Sequence, residues 1–439
     1  MKIYNSLTNK IEIIDKKETY NFYVCGPTVY DFLHIGNMRP FITADVLIKY
    51  LKFKNKNIKY IINITDIDDK IIDKAISEKN TEKKISEKYT INFLEDFKSL
   101  NLSEPNSFLK ISDFIDEQIK FISKILENDK GYVKNGDVFF DIYKSKKQYG
   151  ILANKKIEDL IPNKRLSEND NKNNPLDFAL WKKTDKGINF KAPWSEGRPG
   201  WHTECATLNY LFFQKEKVDF HFGGIDLKFP HHENERIQYL AVENCELSKF
   251  WIHNGHLNFG EHKMSKSLNN TILIRDFIEK YDSNTLKIIF YKMNHTSPID
   301  LTTLLIEQSA AEVQKIQNIY NKISYYKITN KITNSKKKYS YLNDVLKNLE
   351  NNLNLPNCLT VLQEIIKEIN KSLSDSSLSY ELLEQFQIIN QKLLGFNFKY
   401  TVYSLADEEL ILEYEKCKKN KNYQQSDLLR EQLKLKNII

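Results

Sequence analysis

Cysteine, proline and glycine are scarce in this chain, which has 5, 10 and 13 of them among its 439 residues. Scattered cysteines in this number are too few for a disulfide framework, so the thiols are candidates for metal or redox roles. No stretch reaches the roughly 18 consecutive apolar residues of a membrane span, and the N-terminus lacks the apolar core of a signal peptide. These absences predict a cytoplasmic protein without membrane association.

The excess of positive over negative charge is also small. The formal net charge of +7 is too small for a histone-like binder, yet it is compatible with a basic face that meets a polyanion. With 41% hydrophobic and 28% charged residues, the chain can bury a core, which excludes wholesale disorder. Its length predicts two or three domains.

Glycine is distributed unevenly, because all but Gly395 lie in the first 260 residues. In that part, short apolar runs such as Asn21–Val24 and Tyr60–Ile64 alternate with segments of helical period, which is typical of βαβ units and a parallel sheet. After Asp300 the apolar residues keep helical spacing, which predicts a helical bundle. We therefore expect an α/β fold followed by an all-α region.

The segment Cys25–Asn37 follows an apolar strand and precedes a predicted helix over Phe41–Leu51. A strand, a glycine-containing turn and a helix N-terminus together favour phosphate, because free backbone N–H groups and the helix dipole attract negative charge. His34 would add a donor. Taken alone, a histidine and a glycine at such a turn are more often structural.

A second motif is the pentapeptide Lys263-Met264-Ser265-Lys266-Ser267, set among polar residues. Two lysines and two hydroxyls can fold over a triphosphate and neutralise the charge that develops on departing pyrophosphate. Either lysine alone could be ordinary surface charge.

A third pattern consists of metal-ligand residue types in three separated segments. His231 and Glu235 lie four residues apart, on one face of a predicted helix. Cys205 and Cys25 could supply two thiolates, which completes a tetrahedral zinc set.

Neighbouring residues leave the choice of ligands open. His232 or Glu233 could replace its neighbour in the set. A helix-start histidine with surface acids and two unrelated buried cysteines is the alternative interpretation of the same residues.

The first two motifs, His34-Ile35-Gly36-Asn37 and Lys263–Ser267, resemble the HIGH and KMSKS signatures of class I aminoacyl-tRNA synthetases. Further segments extend a resemblance to the cysteinyl-tRNA synthetase family over nearly the whole chain. These segments are Met1–Leu7, Asn63–Lys70, Asn174–Lys182 and Gly197–His202.

The resemblance implies a Rossmann-type parallel-sheet catalytic domain with an insertion, then a stem-contact region and an all-α helical bundle. The expected boundaries are 1–110 for the first half of the catalytic domain, 111–194 for the insertion and 195–255 for the second half. Residues 256–305 would form the stem-contact region with the KMSKS loop, and 306–439 the anticodon-binding domain. A monomer is the expectation for this family.

The implied reaction joins L-cysteine to ATP, releases pyrophosphate and transfers cysteine from the adenylate to tRNA(Cys), with Mg²⁺ accompanying ATP. His34, Lys263 and Lys266 would stabilise the reacting phosphates, and Gly36 and Asn37 would help to bind ATP.

The family also implies one zinc ion per chain, held by Cys25, Cys205, His231 and Glu235, that binds the substrate's thiolate. Because zinc prefers sulfur to a neutral hydroxyl, serine would be rejected without an editing domain. Thr65, Trp201 and Asp226 would line the cysteine pocket, although Trp201 could equally be plain core.

Several positions depart from the family pattern. Asn37 replaces the second histidine of HIGH, and Gly223-Gly224 retains two glycines of a His-Gly-Gly-Gly segment. Lys110–Phe114 stands where the family commonly has Arg-Ala-Thr-x-His, which leaves the role of that segment open. The chain stops at Ile439 without the family's short Trp- and Arg-containing tail, so anticodon reading is expected to differ in detail.

Two other functions fit parts of the sequence. The first is a tRNA-independent cysteine ligase that passes the adenylate to an amino-sugar acceptor, and the second is an RNA-binding protein with a structural zinc and a dead nucleotide site. ATP/pyrophosphate exchange would eliminate the second, and tRNA-dependent product formation separates the first from a synthetase.

Overall fold

The computed structural model describes residues 1–160, 172–213, 216–260, 271–334 and 337–439, and the backbone of residues 262–263. Lys266 therefore lies outside the described residues, and so does the side chain of Lys263. No helix in the described part of the chain is both long and apolar enough to cross a membrane.

Strands and helices alternate in the first 260 residues. The strands are β1 (Lys2–Asn5), β2 (Lys10–Ile13), β3 (Thr19–Val24), β4 (Asn57–Ile64), β5 (Ser107–Lys110), β6 (Gly131–Lys134), β7 (Asp137–Phe140), β8 (Phe178–Lys183), β9 (Phe190–Lys191), β10 (Glu196–Pro199), β11 (Val218–Gly224), β12 (Ser248–Asn254), β13 (Leu257–Phe259), β14 (His262–Lys263) and β15 (Ile299–Leu301). The helices are α1 (Arg39–Phe53), α2 (Asp69–Ser77), α3 (Glu82–Ser99), α4 (Ile115–Glu127), α5 (Ile157–Leu160), α6 (Trp201–Phe213), α7 (Glu233–Glu243), α8 (Ile274–Lys280), α9 (Ser283–Tyr291), α10 (Thr303–Thr329), α11 (Tyr341–Glu350), α12 (Leu355–Ser374), α13 (Tyr380–Gln387), α14 (Leu405–Lys419) and α15 (Tyr423–Leu435).

A five-stranded sheet of order β12-β11-β3-β4-β5 forms the centre of the first compact unit, and every neighbouring pair is parallel. Phe22 of β3 faces Tyr60 on one side and Phe220 on the other. Strands of this kind are covered on both faces, which explains why β3 and β4 read as continuous apolar runs. Their carboxyl ends meet along one edge, where the candidate site lies.

A second five-stranded sheet, of order β6-β7-β8-β10-β9, is antiparallel. Four of its strands lie within the predicted insertion, whereas β10 lies just beyond the expected boundary at residue 194. Phe140 and Phe178 stack at 5.2 Å between ring centroids, and Trp181 is fully buried beside them. A three-stranded sheet of order β14-β13-β15 follows β12 in the chain.

The second compact unit comprises Asn284–Lys292, Thr303–Leu349 and Asn354–Ile439, and its regular elements are helices. On α10 the predicted apolar positions are all buried; they are Ile306, Val313, Ile316, Tyr320 and Ile323. Gly395 has a φ of +68° just after a helical segment, as expected of a C-terminal cap.

The predicted fold class is confirmed: a parallel α/β sheet with an inserted segment precedes an all-α region in the chain. The helix predicted over Phe41–Leu51 forms as part of α1. The five-part division of the chain remains a prediction.

Candidate active site

A cavity of about 550 Å³ opens at the carboxyl ends of β3 and β11. Open parallel sheets bind their ligands at this edge. The lining includes most of the residues predicted to bind substrates, together with others that the sequence did not single out. They include Cys25, Thr28, Tyr30, His34, Gly36, Asn37, Arg39, Lys70, Trp201, Gly223, Gly224, Asp226, Asn254, Gly255 and His256.

Cys25 lines this cavity, and the other three predicted metal ligands lie against Cys25 behind the cavity wall, at the end that we call its bottom. Cys25 follows β3, Cys205 lies on α6, His231 lies in the turn before α7, and Glu235 lies on α7. All four side chains are buried, and their donor atoms lie within 4.8 Å of one another. Three segments that are far apart in the chain thus bring together two sulfurs, one imidazole nitrogen and one carboxylate oxygen.

The spacing of these donors fits a tetrahedral ion. The two sulfurs are 3.8 Å apart, and each lies 3.8 Å from His231 Nε2. Two thiolates about 2.3 Å from one zinc ion at a tetrahedral angle would be about 3.8 Å apart. Glu235 Oε1 is closer, at 3.5 Å from Cys25 Sγ and 2.8 Å from His231 Nε2. The residues present therefore fit zinc in both chemistry and spacing.

A second set of donors overlaps the first. Cys25, His221, His232 and Glu235 also lie within 4.8 Å of one another, and His232 Nε2 is 3.3 Å from Cys25 Sγ. The geometry is thus also compatible with His232 as a metal ligand in place of His231. Glu233, in contrast, is engaged elsewhere, because it pairs with Arg236 at 3.1 Å and accepts a hydrogen bond from the Ala153 amide at 2.9 Å.

Burial governs protonation in this cluster. It raises the pKa of the Cys25 thiol and of the Glu235 carboxyl well above their usual ranges. Burial would also raise the pKa of Cys205, but hydrogen bonds with Cys25 and His231 lower it overall. A divalent cation reverses this tendency, because its charge stabilises the deprotonated ligands. The ionised thiols and carboxyl would be costly to bury by themselves, and a bound cation would offset that cost.

Two aromatic side chains orient His231 from outside the cluster. His202 Nδ1 lies 2.9 Å from His231 Nδ1, so one ring donates to the other and leaves His231 Nε2 facing the thiols. The Trp201 ring stacks on His231 with 4.1 Å between ring centroids. Such contacts fix the tautomer and direction of a ligating histidine. Trp201 is 38% exposed and lines the cavity, so it is not plain core.

A buried polar network lies behind Cys25. Asn63 Oδ1 accepts hydrogen bonds from the Gly26 amide at 2.7 Å and from the Tyr23 hydroxyl at 3.1 Å. Thr65 donates to Glu204 at 2.7 Å and is not among the described residues that line the cavity. A Cβ on Gly26 would lie 1.6 Å from the Asn63 carbonyl oxygen, so only glycine permits this approach of β3 to β4.

The glycines retained beside β11 serve a similar purpose. A Cβ on Gly223 would lie 2.4 Å from the His232 ring, and one on Gly224 would lie 2.4 Å from Asp226 Oδ1. The missing side chains therefore make room for a histidine of the cluster and for the predicted pocket carboxylate. Asp226 lines the cavity, as expected.

The HIGH-like segment forms a tight turn before α1. His34 N–H donates to the Asn37 side chain at 3.0 Å, and Asn37 N–H donates back to the His34 carbonyl at 2.9 Å. Asn37, which replaces the family's histidine, thus closes the turn with its own amide oxygen. Both residues and Gly36 line the cavity.

The chain just after the KMSKS pentapeptide pairs with this turn, a contact that the sequence did not predict. Ile35 N–H donates to the Ile272 carbonyl at 2.9 Å, and Ile274 N–H donates to the Leu33 carbonyl at 3.1 Å. Backbone hydrogen bonds therefore join the HIGH-like turn to residues 272–274, which follow the KMSKS pentapeptide in the sequence.

Arg39, the first residue of α1, holds the wall of the cavity that contains Gly255. Its guanidinium donates to the carbonyls of Gly255 at 2.7 Å and Asn294 at 3.1 Å. Burial lowers its pKa to about 10, so the group stays charged at neutral pH. The sequence analysis did not single out Arg39 as a residue that shapes the cavity.

The Lys110–Phe114 segment has a structural role. Ser112 donates to the Asp66 carboxylate from its amide at 3.0 Å and from its hydroxyl at 2.6 Å. These bonds fix the loop that follows β4.

Residues 11–311 match the family model described as the tRNA synthetases class I (C) catalytic domain. A cysteine--tRNA ligase of Mycoplasma mycoides subsp. mycoides SC is 43% identical to this chain over 437 residues, which cover 99% of each protein. The chain belongs to the cysteine--tRNA ligase family. A family member from Oceanobacillus iheyensis is 36% identical and is covered over 97% of its length. The resemblance and the enzyme class predicted from the sequence are confirmed.

Solved structures of another class I enzyme share the fold of this cysteine--tRNA ligase family member. Mycobacterium tuberculosis methionyl-tRNA synthetase in complex with methionyl-adenylate matches 86% of this chain and 92% of its own, with a TM-score of 0.64 and 12% sequence identity. At that identity the likeness concerns the fold alone.

Proposed function

We propose that the protein activates L-cysteine with ATP and transfers it to tRNA(Cys). The observation that carries this proposal is the buried set of two thiols, one imidazole and one carboxylate. One of these thiols, that of Cys25, lines the same cavity as His34 and Asn37. A sulfur-selective site and a phosphate site in one cavity are what cysteine activation requires.

Zinc would be held by Cys25, Cys205, His231 and Glu235, and it would supply sulfur-selective Lewis acidity at the substrate's thiol. We prefer this set to the one with His221 and His232 because it contains two sulfurs, which zinc favours as ligands. Trp201 and Asp226 would hold the amino group of cysteine. Serine would be rejected since its neutral hydroxyl is a poor zinc ligand.

In the first step a carboxylate oxygen of cysteine attacks the α-phosphorus of ATP, and the bond to the β-phosphate bridging oxygen breaks. Pyrophosphate leaves with Mg²⁺. His34, Lys263 and Lys266 would neutralise the charge that builds on the phosphates, so the chain acts by positioning and charge stabilisation. In the second step a hydroxyl of the terminal ribose of tRNA(Cys) attacks the acyl carbon, and AMP leaves.

We also propose that residues 306–439 bind the anticodon of the tRNA and that the protein acts as a cytoplasmic monomer. The full-length match to cysteine--tRNA ligases includes this helical region. It favours a tRNA acceptor over an amino sugar.

The test is cysteine-dependent ATP/pyrophosphate exchange with zinc-loaded and chelated protein, with serine as competitor, followed by charging of tRNA(Cys). We expect exchange that needs cysteine and zinc, resists serine and leads to charged tRNA. Exchange without charging would favour the amino-sugar ligase. No exchange in zinc-loaded protein would contradict the proposal.

A further inference from the structure

Residues 32–35 and 272–275 form a short antiparallel pair beside the cavity. The Ile35 amide donates to Ile272, the Ile274 amide donates to Leu33, and His34 lies opposite Leu273. The second segment begins shortly after Lys266 in the chain. The pairing attaches residues 272–275 to the turn that carries His34.

Side chains reinforce one end of this pair. The Arg275 guanidinium lies over the Phe32 ring, 4.1 Å from its centroid, and its Nη2 lies 3.3 Å from Asp96 Oδ1. On another side, the Phe32 ring meets the edge of Tyr89 at 5.2 Å. Asp96 and Tyr89 both lie on α3. Phe32 is thus in contact with a cation from α8 and a ring from α3.

Burial has two opposing effects on this ion pair. The Asp96 side chain is 4% exposed, whereas that of Arg275 is 32% exposed. Removal from water strengthens the attraction between the Asp96 carboxylate and the Arg275 guanidinium. It also penalises the charged carboxylate and raises the pKa of Asp96 to about 6, so the pair is ionised at neutral pH and weakens in acid. Arginine suits the site because its planar group can stack on a ring and pair with an acid together.

We propose that Arg275, held by Asp96 and stacked on Phe32, is a positioning residue that fixes the chain after the KMSKS pentapeptide to the HIGH-like turn during adenylate formation. This inference rests on the proposed function. Arg275 acts through its neighbours and not on ATP itself. Its effect should therefore be confined to the step in which His34 and the pentapeptide lysines must act together.

The size of the effect follows from the need for alignment. A displacement of about 1 Å between reacting groups can cost about 100-fold in rate, and partial loosening costs less. We expect Arg275→Ala to lower kcat for cysteine-dependent ATP/pyrophosphate exchange about 10-fold, with the KM for cysteine unchanged. The transfer of cysteine from preformed adenylate to tRNA should be unaffected, because pyrophosphate has already left.

Three further variants sharpen the test. Asp96→Asn should reproduce part of the loss, because it removes the charge that holds Arg275. Arg275→Lys should recover part of it, because lysine keeps the ion pair but not the planar stack. Lys280→Ala is the matched control: Lys280 is also on α8 and also lies over a ring, that of Tyr281 at 5.2 Å from its centroid. It should behave as wild type.

The measurements are steady-state exchange, single-turnover transfer and thermal unfolding of each variant. Unchanged exchange in both Arg275→Ala and Asp96→Asn would overturn the proposal. Equal losses in exchange, transfer and thermal stability would overturn it too, since they would indicate a merely structural role. An equal loss in Lys280→Ala would do the same. If the wild-type protein itself shows no exchange, this inference fails together with the proposed function. If wild type exchanges and the variants match it, the inference alone fails.

Discussion

The bottom of the cavity and its proposed phosphate end, which carries His34, are formed by different kinds of contact. At the bottom, four buried side chains from three segments converge, and their own contacts orient them further. At the phosphate end, backbone hydrogen bonds of residues 33–37 and 272–274 shape the turn that carries His34. In the proposed function, side-chain chemistry would serve the selection of cysteine, whereas chain geometry would serve the reaction of the triphosphate.

The largest effect should come from removing a metal ligand. Loss of an outer contact of a ligating residue typically costs 10 to 100-fold in metal affinity, so loss of a ligand itself should cost more, about 10³-fold. We expect Cys205→Ser to lose zinc and cysteine-dependent exchange together, as measured by metal analysis and exchange assay. Cys417→Ser is the control, because Cys417 lies in α14 of the helical unit. A zinc-loaded Cys205→Ser protein would show that another donor set is used.

A smaller effect, of a different kind, should follow from Lys266→Ala. We expect kcat for exchange to fall about 10² to 10³-fold because charge on the leaving pyrophosphate is no longer neutralised. Zinc content and cysteine binding should stay unchanged, and Lys266→Arg should retain part of the rate. If cysteine binding weakened as much as kcat, the two ends of the cavity would not be separable in function.

The smallest effect concerns His295, which follows Asn294 in the chain and accepts a hydrogen bond from the Gly255 amide at 3.0 Å. Burial, with a contribution from Arg39, lowers the pKa of His295 to about 4, whereas an unfolded histidine titrates near 6.5. Since the unfolded chain binds this proton first, stability is present above pH 6.5 and is lost as pH falls toward 4. Between pH 7 and 5 the loss should be about 2 kcal/mol.

His295→Gln should reduce the acid sensitivity of the first unit by that amount. All four tryptophans lie in this unit, so urea unfolding followed by tryptophan fluorescence at pH 7 and pH 5 reports on it. Comparing the two pH values within each protein cancels any constant cost of the substitution. Identical pH dependence in variant and wild type would contradict the prediction.

The sequence predicted more of the cavity bottom than of its surroundings. Residue types as distinctive as cysteine and histidine identify possible zinc ligands at any distance in the chain, so Cys25, Cys205, His231 and Glu235 could be grouped before their geometry was known. Their assignment as ligands is still a prediction. The same is true of His34, which was chosen for its place between a strand and a helix.

Contacts made by backbone groups could not be predicted from residue types in the same way. The pairing of residues 33–35 with 272–274 depends on carbonyl and amide groups that every residue has. Arg39 was not predicted because its partners are carbonyls of Gly255 and Asn294. Thr65 was expected in the pocket, and spacing could not reveal that its hydroxyl would be bound to Glu204.

The two overlapping donor sets have a consequence for stoichiometry. Both contain Cys25 and Glu235, and all the donor atoms of each set lie within 4.8 Å. Cys25 has a single sulfur, so both sets could be filled at once only if its thiolate bridged two cations held close together in a buried site, which the repulsion between the cations opposes. Titration with a divalent metal should therefore saturate at one equivalent at this position, and two metals offered together should compete for it rather than bind side by side.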